Sequence, residues 1–193
     1  ESGVQIRIIY DGFGCMMTLP PDYERYLESL HENIKCMTFN NVVPLFAVRM
    51  NNRDHRKILV VDGKVAFTGG INLADEYINE TVKHGHWKDT AVKIEGEAVK
   101  SLVALFISLW NMQEVKQLDC DDYLIPIKGG DCGKGYVIPF GDSPSPIDTE
   151  DIGKTVYLNI INSARDYVYI CTPYLICDRE LINAMCVASR RGV

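Results

Sequence analysis

The sequence predicts an α/β fold, in which β-strands and helices follow each other along the chain. Short apolar runs of strand length alternate with amphipathic segments of helical period, and an Asp62-Gly63 dipeptide separates two of the apolar runs. Of the 193 residues, 47% are hydrophobic and 24% are charged, which is typical of a globular protein with a buried core.

The first part of the chain has the pattern of strands around one helix. Residues 5–11 are predicted to form a strand, and residues 22–31 an amphipathic helix with its apolar residues on one face. Two short strands are predicted near 34–38 and 43–49.

The central part contains the clearest local prediction, a hairpin from Lys57 to Thr68. Asp62-Gly63 favours the type I′ turn that joins two antiparallel strands. A short helix is predicted to begin at Asn72. Residues 89–95 then alternate as a strand does, and residues 96–116 form the longest amphipathic helix pattern.

The composition changes after residue 118. Glycines, prolines and serines make residues 119–150 a predicted linker with at most one strand, at 135–140. A new unit follows, with a helix over 150–164, a strand over 167–172 and a helix over 178–190. We therefore predict three segments: 1–118, the linker 119–150, and 151–193.

The two ends of the chain are similar. The last helix runs into Arg191-Gly192-Val193, and the first strand directly follows Ser2-Gly3-Val4. This similarity is typical of one period of a repeat, although a helix-glycine-strand junction is common and coincidence explains it as well. In the repeat interpretation, residues 167–190 replace a unit missing from the front. They are then expected to dock beside residues 4–10, within one chain or by swapping between two.

Charge, cysteine content and hydropathy narrow the class of protein. A net charge of -6 and a pI near 5.2 disfavour a nucleic-acid coat, which needs clustered lysine and arginine. The seven cysteines form no CxxC pair, so we expect reduced, buried packing residues of a cytoplasmic chain rather than a zinc site. The longest apolar run, Leu102–Trp110, is too short to span a bilayer, which predicts a soluble polypeptide.

The central segment carries a pattern suited to chemistry at phosphorus: His55-x-Lys57-x4-Asp62, followed by Gly69-Gly70-Ile71-Asn72. On a strand, His55 and Lys57 would point to the same face. An imidazole acts as nucleophile or acid near neutral pH, and an ammonium holds a phosphate oxygen. Such a five-position match arises by chance on the order of once in ten thousand chains of this length.

The other residues of the pattern each allow two roles. Asp62 lies at the predicted turn, so it either contacts substrate or fixes the hairpin. Gly70 lets the backbone approach a phosphate, or simply forms a turn. Asn72 binds phosphate at the start of the predicted helix, where free N–H groups favour an anion, or caps that helix.

The motif resembles the signature of the phospholipase D superfamily, and the flanking sequence resembles the bacterial cardiolipin synthase family over essentially the whole chain. The resemblance implies a phospholipase D-like mixed sheet flanked by helices, as an incomplete or permuted half-domain. The similar stretches are Asp62–Tyr77, His86–Thr90, Ile94–Val99, Pro139–Pro144, Tyr157–Asn162 and Thr172–Leu175.

The resemblance also implies a reaction. Family members condense two phosphatidylglycerol molecules to cardiolipin and glycerol through a phosphohistidine intermediate, without a metal or other cofactor. Carried over, His55 is nucleophile or acid, Lys57 holds the phosphate, and Asp62 belongs to the catalytic signature. Gly70 and Asn72 line the phosphate site.

Asp89 is a further candidate, because the family uses a carboxylate downstream of the motif to orient the catalytic imidazole. Its alternative role is a surface charge on a strand. An acceptor for the imidazole N–H would fix the tautomer and stabilise the imidazolium.

The chain departs from the family in carrying one His-x-Lys-x4-Asp motif where the family has two. We therefore expect a fragment that spans the end of the first catalytic half and the start of the second, soluble and nearly inactive alone. Its expected partners are phosphatidylglycerol, the membrane surface, and the rest of the parent chain or a domain-swapped homodimer. The parent protein is expected at the bacterial cell membrane, with no nucleic-acid partner.

Two other functions stay open at this point. One is a phosphodiesterase or nuclease with a single motif, which forms its site across a homodimer. The acidic charge and the flanking sequence count against it. The other is a non-catalytic module that binds lipid or protein.

Overall fold

The structure is a computed structural model and describes residues 3–39, 53–83, 85–126, 135–142, 150–172 and 174–193. The chain divides into two compact units, Glu1–Phe140 and Gly141–Val193, at a point inside the predicted linker 119–150. Helices and strands are mixed along the chain, so the predicted α/β class is confirmed.

The first unit opens with two parallel strands, β1 (Ile6–Asp11) and β2 (Ile34–Phe39), in a register that places Ile6 opposite Ile34. A parallel pair needs a crossover, and here the connection contains α1 (Gly12–Cys15) and α2 (Tyr23–Leu30).

Two acidic side chains of α2 bind β2. The Cys36 N–H donates to Glu28 Oε1 at 3.0 Å, and the Thr38 hydroxyl donates to Glu24 Oε2 at 2.7 Å. The two bonds pair polar groups of β2 that are not used in its pairing with β1. They also hold α2 against β2.

A second, antiparallel sheet follows in the order β3-β4-β5. At the turn between β3 and β4, Asp62 and Gly63 both have positive φ, at 53° and 63°, as a type I′ turn requires. The predicted hairpin is confirmed. The strands are β3 (Ile58–Val61), β4 (Val65–Gly69) and β5 (Ala91–Glu95).

Helix α3 (Val99–Asn111) covers one face of this sheet and forms the core of the unit with it. It is shorter than the predicted 96–116. Gly96, at φ 97°, precedes it, and beyond its end the Asn111 side chain binds the Leu118 N–H and C=O at 2.8 and 2.9 Å, which turns the chain back. The core consists of Ala66, Val99, Leu102, Val103 and Ile107.

The start of the predicted linker packs on this core. Leu118, Cys120, Tyr123 and Leu124 contact the core cluster, and Cys120–Tyr123 form a 3₁₀ turn. A Cβ at Gly63 would lie 2.7 Å from the Tyr123 carbonyl oxygen. The hairpin turn therefore rests directly on this segment, and only glycine fits there.

The second unit contains two helices, α4 (Ile152–Ser163) and α5 (Arg179–Arg190), which agree with the predicted helices to within two residues. They pack through Ile161, Ala184 and Ala188. Arg191 then donates to three carbonyls at the end of α4, those of Asn162, Ile161 and Ala164, at 2.6, 3.1 and 3.3 Å. A guanidinium is well suited to these otherwise unpaired acceptors.

Some predicted elements differ. Residues 135–140 and 167–172 are not in strands, because in the described part of each unit no neighbouring strand supplies their hydrogen bonds. The predicted strand 43–49 lies outside the described residues. The docking of residues 167–190 beside residues 4–10 stays a prediction.

The cysteines are only partly as expected. The described cysteines are all free, and Cys36 is buried, but Cys171 and Cys186 are exposed. The expectation of uniform burial is therefore wrong. Within the described residues, no helix has the length and apolar character needed to cross a bilayer.

Candidate active site

The motif residues His55 and Lys57 lie in a segment that precedes β3 rather than on a strand, so the predicted strand alternation does not relate them. Their connection is a hydrogen bond instead, because the Lys57 ammonium donates to the His55 carbonyl oxygen at 2.8 Å. The His55 side chain is exposed, and that of Lys57 is partly buried. An exposed imidazole is accessible to a substrate from solution.

This segment is tied to the end of β1. The Asp54 N–H donates to Asp11 Oδ2 at 3.2 Å, and the Arg53 guanidinium lies 3.9 Å from Asp11 Oδ1. The same carboxylate caps α1 by accepting from the Gly14 N–H at 2.7 Å. One residue of the first sheet thus holds the chain just before His55.

Two carboxylates, those of Asp54 and Asp89, act electrostatically on Lys57. Burial lowers the pKa of Lys57, while the negative charges of Asp54 and Asp89 act in the opposite direction. Arg56 shares Asp54, with its Nε 2.6 Å from Asp54 Oδ1. Lys57 therefore keeps hydrogen-bonding capacity for a further anion, since an ammonium has three donors.

Asp89 lies against Gly70. A Cβ built on Gly70 would collide with Asp89 Oδ1 and would lie 3.1 Å from Asp89 Cγ. The Gly70 N–H donates to the Thr90 carbonyl at 3.0 Å, so this N–H is already engaged. Glycine at position 70 leaves room for the Asp89 carboxylate. The sequence predicted a glycine that lets the backbone approach a phosphate, and it did not predict this contact.

Asp89 is partly buried and precedes β5. Its oxygens accept from the Thr90 N–H at 2.7 Å and from the Trp87 indole N–H at 3.2 Å. No hydrogen bond joins it to the His55 imidazole in the part of the chain that the structure describes. Orientation of His55 by Asp89 therefore stays a prediction.

Asn72 does not begin a helix. A 3₁₀ turn starts at Asp75, with Ala74 as its N-cap, so the predicted helix is shorter and later, and the capping role is wrong. The Asn72 amide instead donates to the Tyr77 hydroxyl. Within the described part of the chain, the Asn72 amide makes no other hydrogen bond, so its oxygen and second N–H can bind a ligand.

Asp62 lies at the far end of the hairpin. Four residues of β3 separate it from Lys57, which corresponds to roughly 15 Å of extended chain. The structure thus brings Lys57, Gly70 and Asp89 together, with Asn72 two residues from Gly70, and places Asp62 in the turn.

Four residues of this region were not singled out from the sequence: Asp11, Tyr77, Asn79 and Trp87. Trp87 was visible only as a neighbour of Asp89 in the stretch His86–Thr90. The signal for Asp11 was its place at the end of a strand. Among the described residues, no cluster of histidine, cysteine or acidic side chains is arranged to hold a metal ion.

Comparison with known families shows to which family the chain belongs. The family model described as "Cardiolipin synthase, PLD-like domain" matches residues 1–110, which include the whole motif and Asp89. The chain belongs to this family. The phospholipase D-like α/β fold expected from the resemblance is therefore confirmed.

Relatives of this cardiolipin synthase-like chain match it over its full length. Cardiolipin synthase 2 of Staphylococcus epidermidis is 34% identical over 194 residues, which are 39% of its own length. Cardiolipin synthase 1 of Staphylococcus aureus (strain COL) is 35% identical over 194 residues, 38% of its length. A Streptococcus mutans protein with no function in its name is 48% identical over 193 residues, 41% of its length. The chain thus spans about two fifths of the curated relatives it matches.

Proposed function

We propose that this chain supplies one catalytic motif of a phosphatidyltransferase that condenses two phosphatidylglycerol molecules to cardiolipin and glycerol. The observation that carries the proposal is the cluster around Gly70, where Lys57, Asp89 and Asn72 lie near one glycine turn in a chain of the cardiolipin synthase family. An ammonium and an amide can bind the oxygens of a phosphodiester, and His55, two residues before Lys57 in the chain, supplies an imidazole.

The proposed reaction has two steps, and one bond to phosphorus forms and one breaks in each. A histidine nitrogen attacks the phosphorus of one phosphatidylglycerol, so a P–N bond forms and the P–O bond to the terminal glycerol breaks. A second histidine gives its proton to that glycerol as it leaves. The hydroxyl of another phosphatidylglycerol then loses its proton to the second histidine and attacks phosphorus, which breaks the P–N bond.

The residues of this chain take definite roles in that scheme. His55 is the nucleophile or the acid, and Lys57 and Asn72 bind the phosphate oxygens. Asp89 holds a negative charge beside Lys57. Asp62 contributes by closing the hairpin that follows the motif. The second histidine comes from the rest of the protein or from another copy of the chain.

The proposed substrate places the whole protein at the bacterial cell membrane. Phosphatidylglycerol is a bilayer lipid, so the enzyme must meet its phosphate at a membrane surface. The chain itself supplies the exposed His55 and the phosphate-binding groups beside it.

The test is an assay of the complete gene product with phosphatidylglycerol vesicles. We expect cardiolipin and glycerol in equal amounts, and a loss of at least about a thousandfold in His55→Ala. His31→Ala is the matched control, because His31 is also exposed but lies at the end of α2. Full activity in His55→Ala, or phosphatidic acid as the product, would contradict the proposal.

A further inference from the structure

The carboxylate of Asp89 is held by two separate donors. The Thr90 N–H binds Oδ1 at 2.7 Å, and the indole N–H of Trp87 binds Oδ2 at 3.2 Å. Because each oxygen has its own donor, the carboxylate has one preferred rotation about its side-chain bonds. The backbone of Gly70 lies against Oδ1 and limits movement in that direction.

Trp87 is itself fixed by Asn79. The Trp87 N–H donates to Asn79 Oδ1 at 2.6 Å, and Asn79 Nδ2 donates to the Trp87 carbonyl at 3.0 Å. Asn79 has a positive φ of 61°, a conformation that asparagine tolerates better than most residues. The loop after the 3₁₀ turn therefore carries Trp87 in a defined position.

The Trp87 ring also contacts the other side of the site. It lies on the Tyr77 ring with centroids 4.6 Å apart, and the Tyr77 hydroxyl accepts from Asn72. One aromatic pair thus supports both Asp89 and Asn72, the two polar side chains on either side of Gly70.

We propose that Trp87 is a positioning residue for the phosphate site: its indole N–H holds the Asp89 carboxylate so that the carboxylate does not close on the Lys57 ammonium. This role rests on the proposed function, because it concerns the same site. A hydrogen bond from a neutral donor stabilises a carboxylate without neutralising it.

Loss of this donor has a definite consequence. Without the indole N–H, the Asp89 oxygen is free to turn and bind the nearby Lys57 ammonium. Lys57 then shares its charge with Asp89 and binds a phosphate less tightly. Trp87→Phe removes the N–H and keeps an aromatic ring for the contact with Tyr77, so it isolates this effect.

The experiment follows the titration of Lys57 by NMR of its ε-methylene carbon in the full 193-residue chain. We expect the pKa of Lys57 to rise by about 0.5 in Trp87→Phe and to be insensitive to the same change in an Asp89→Asn background. Trp110→Phe, which removes an indole N–H on α3, is the matched control and should leave this pKa unchanged. An unchanged or lower pKa in Trp87→Phe, or an equal rise in the Asp89→Asn background, would overturn the positioning role.

A second arm measures binding of inorganic phosphate to the same variants. Trp87→Phe should weaken binding roughly threefold to tenfold, an effect that disappears in the Asp89→Asn background. If Lys57→Met binds phosphate as well as the wild type does, the phosphate-binding role of Lys57 in the proposed function is wrong. The Lys57 titration still decides the positioning role in that case.

Discussion

Because Gly70 has no side chain, the Asp89 carboxylate can lie against its backbone. Asp89 occupies the space that a Cβ at position 70 would fill, and this contact brings a negative charge beside Lys57. In the proposed phosphate site, a carboxylate beside Lys57 competes with an anionic ligand for the same ammonium, so the position of the carboxylate matters. The Thr90 and Trp87 donors fix that position.

Replacement of Gly70 by alanine tests this contact. We expect Gly70→Ala to lower the free energy of unfolding by about 1–3 kcal/mol, because the new methyl group displaces the Asp89 carboxylate or the end of β4. Urea unfolding measures the change. The additional change Asp89→Ala should recover part of the loss, since it removes the colliding atoms.

Gly14→Ala is the matched control for this experiment. Its new Cβ would also face a carboxylate, but at 3.4 Å from Asp11 Oδ1, and its φ is not positive. It should change stability by less than about 1 kcal/mol. Equal effects of Gly70→Ala in the presence and absence of the Asp89 side chain would show that the collision is not the cause.

Sequence patterns located part of this site and missed the rest for a physical reason. The spacing of the motif singled out His55, Lys57, Gly70 and Asn72 as candidates, and the resemblance to the cardiolipin synthase family singled out Asp89. The supporting contacts of Asp11 and Trp87 depend on which elements meet in space. Motif spacing and periodicity in a single sequence do not reveal which distant residues come into contact.

At the scale of elements, the sequence predicted correctly those elements that depend mainly on residues close together in the chain. The Asp62-Gly63 turn fixed the hairpin, and apolar periodicity located α3 to within a few residues at each end. The strand predicted at 167–172 depends on a neighbour, and periodicity says nothing about whether a neighbour is present. The same limit applies to residues 135–140.

The Cys36 thiol on β2 is expected to make the stability of the protein depend on pH. Burial, together with the nearby charge of Glu24, raises the pKa of the Cys36 thiol from 9.0 to about 11. Between these values the unfolded chain releases the thiol proton and the folded chain keeps it, so unfolding becomes more favourable as pH rises. We expect this thiol to remove about 2 kcal/mol of stability between pH 9 and pH 11.

The check is urea unfolding of the wild type and of Cys36→Ala over that pH range. The variant loses stability at every pH through its smaller side chain, but the difference between the two proteins should shrink as pH rises. A difference that stays constant from pH 9 to pH 11 would show that the thiol titrates normally in the folded state.

At the scale of the first unit, Asp11 connects the two sheets. Its carboxylate caps α1 and also binds the segment before His55 through Asp54 and Arg53. The parallel sheet therefore holds the motif that leads into the antiparallel sheet. The segment just before His55 is therefore joined to β1 as well as to β3, which follows it.

Asp11→Ala should release this segment. We expect a loss of about 2 kcal/mol, because the Gly14 and Asp54 N–H groups lose a charged acceptor. Trypsin should then cleave after Arg53 or Arg56 roughly 30-fold faster, if cleavage follows local opening. Asp75→Ala, at an exposed aspartate in the 3₁₀ turn, is the control and should leave the rate unchanged. Slow cleavage in Asp11→Ala would mean that other contacts hold the segment.

The Tyr123 carbonyl beneath Gly63 has a practical consequence for anyone who shortens this protein. A truncation that keeps only residues 1–118 would remove the Tyr123 carbonyl on which the turn rests, together with three side chains that pack on the core, those of Cys120, Tyr123 and Leu124. The inner side of the hairpin turn would then be exposed to water. The segment that carries His55, just upstream of the hairpin, would be held less firmly. A shortened chain that keeps the hairpin supported must therefore extend at least to Ile125, whose side chain also lies against Gly63.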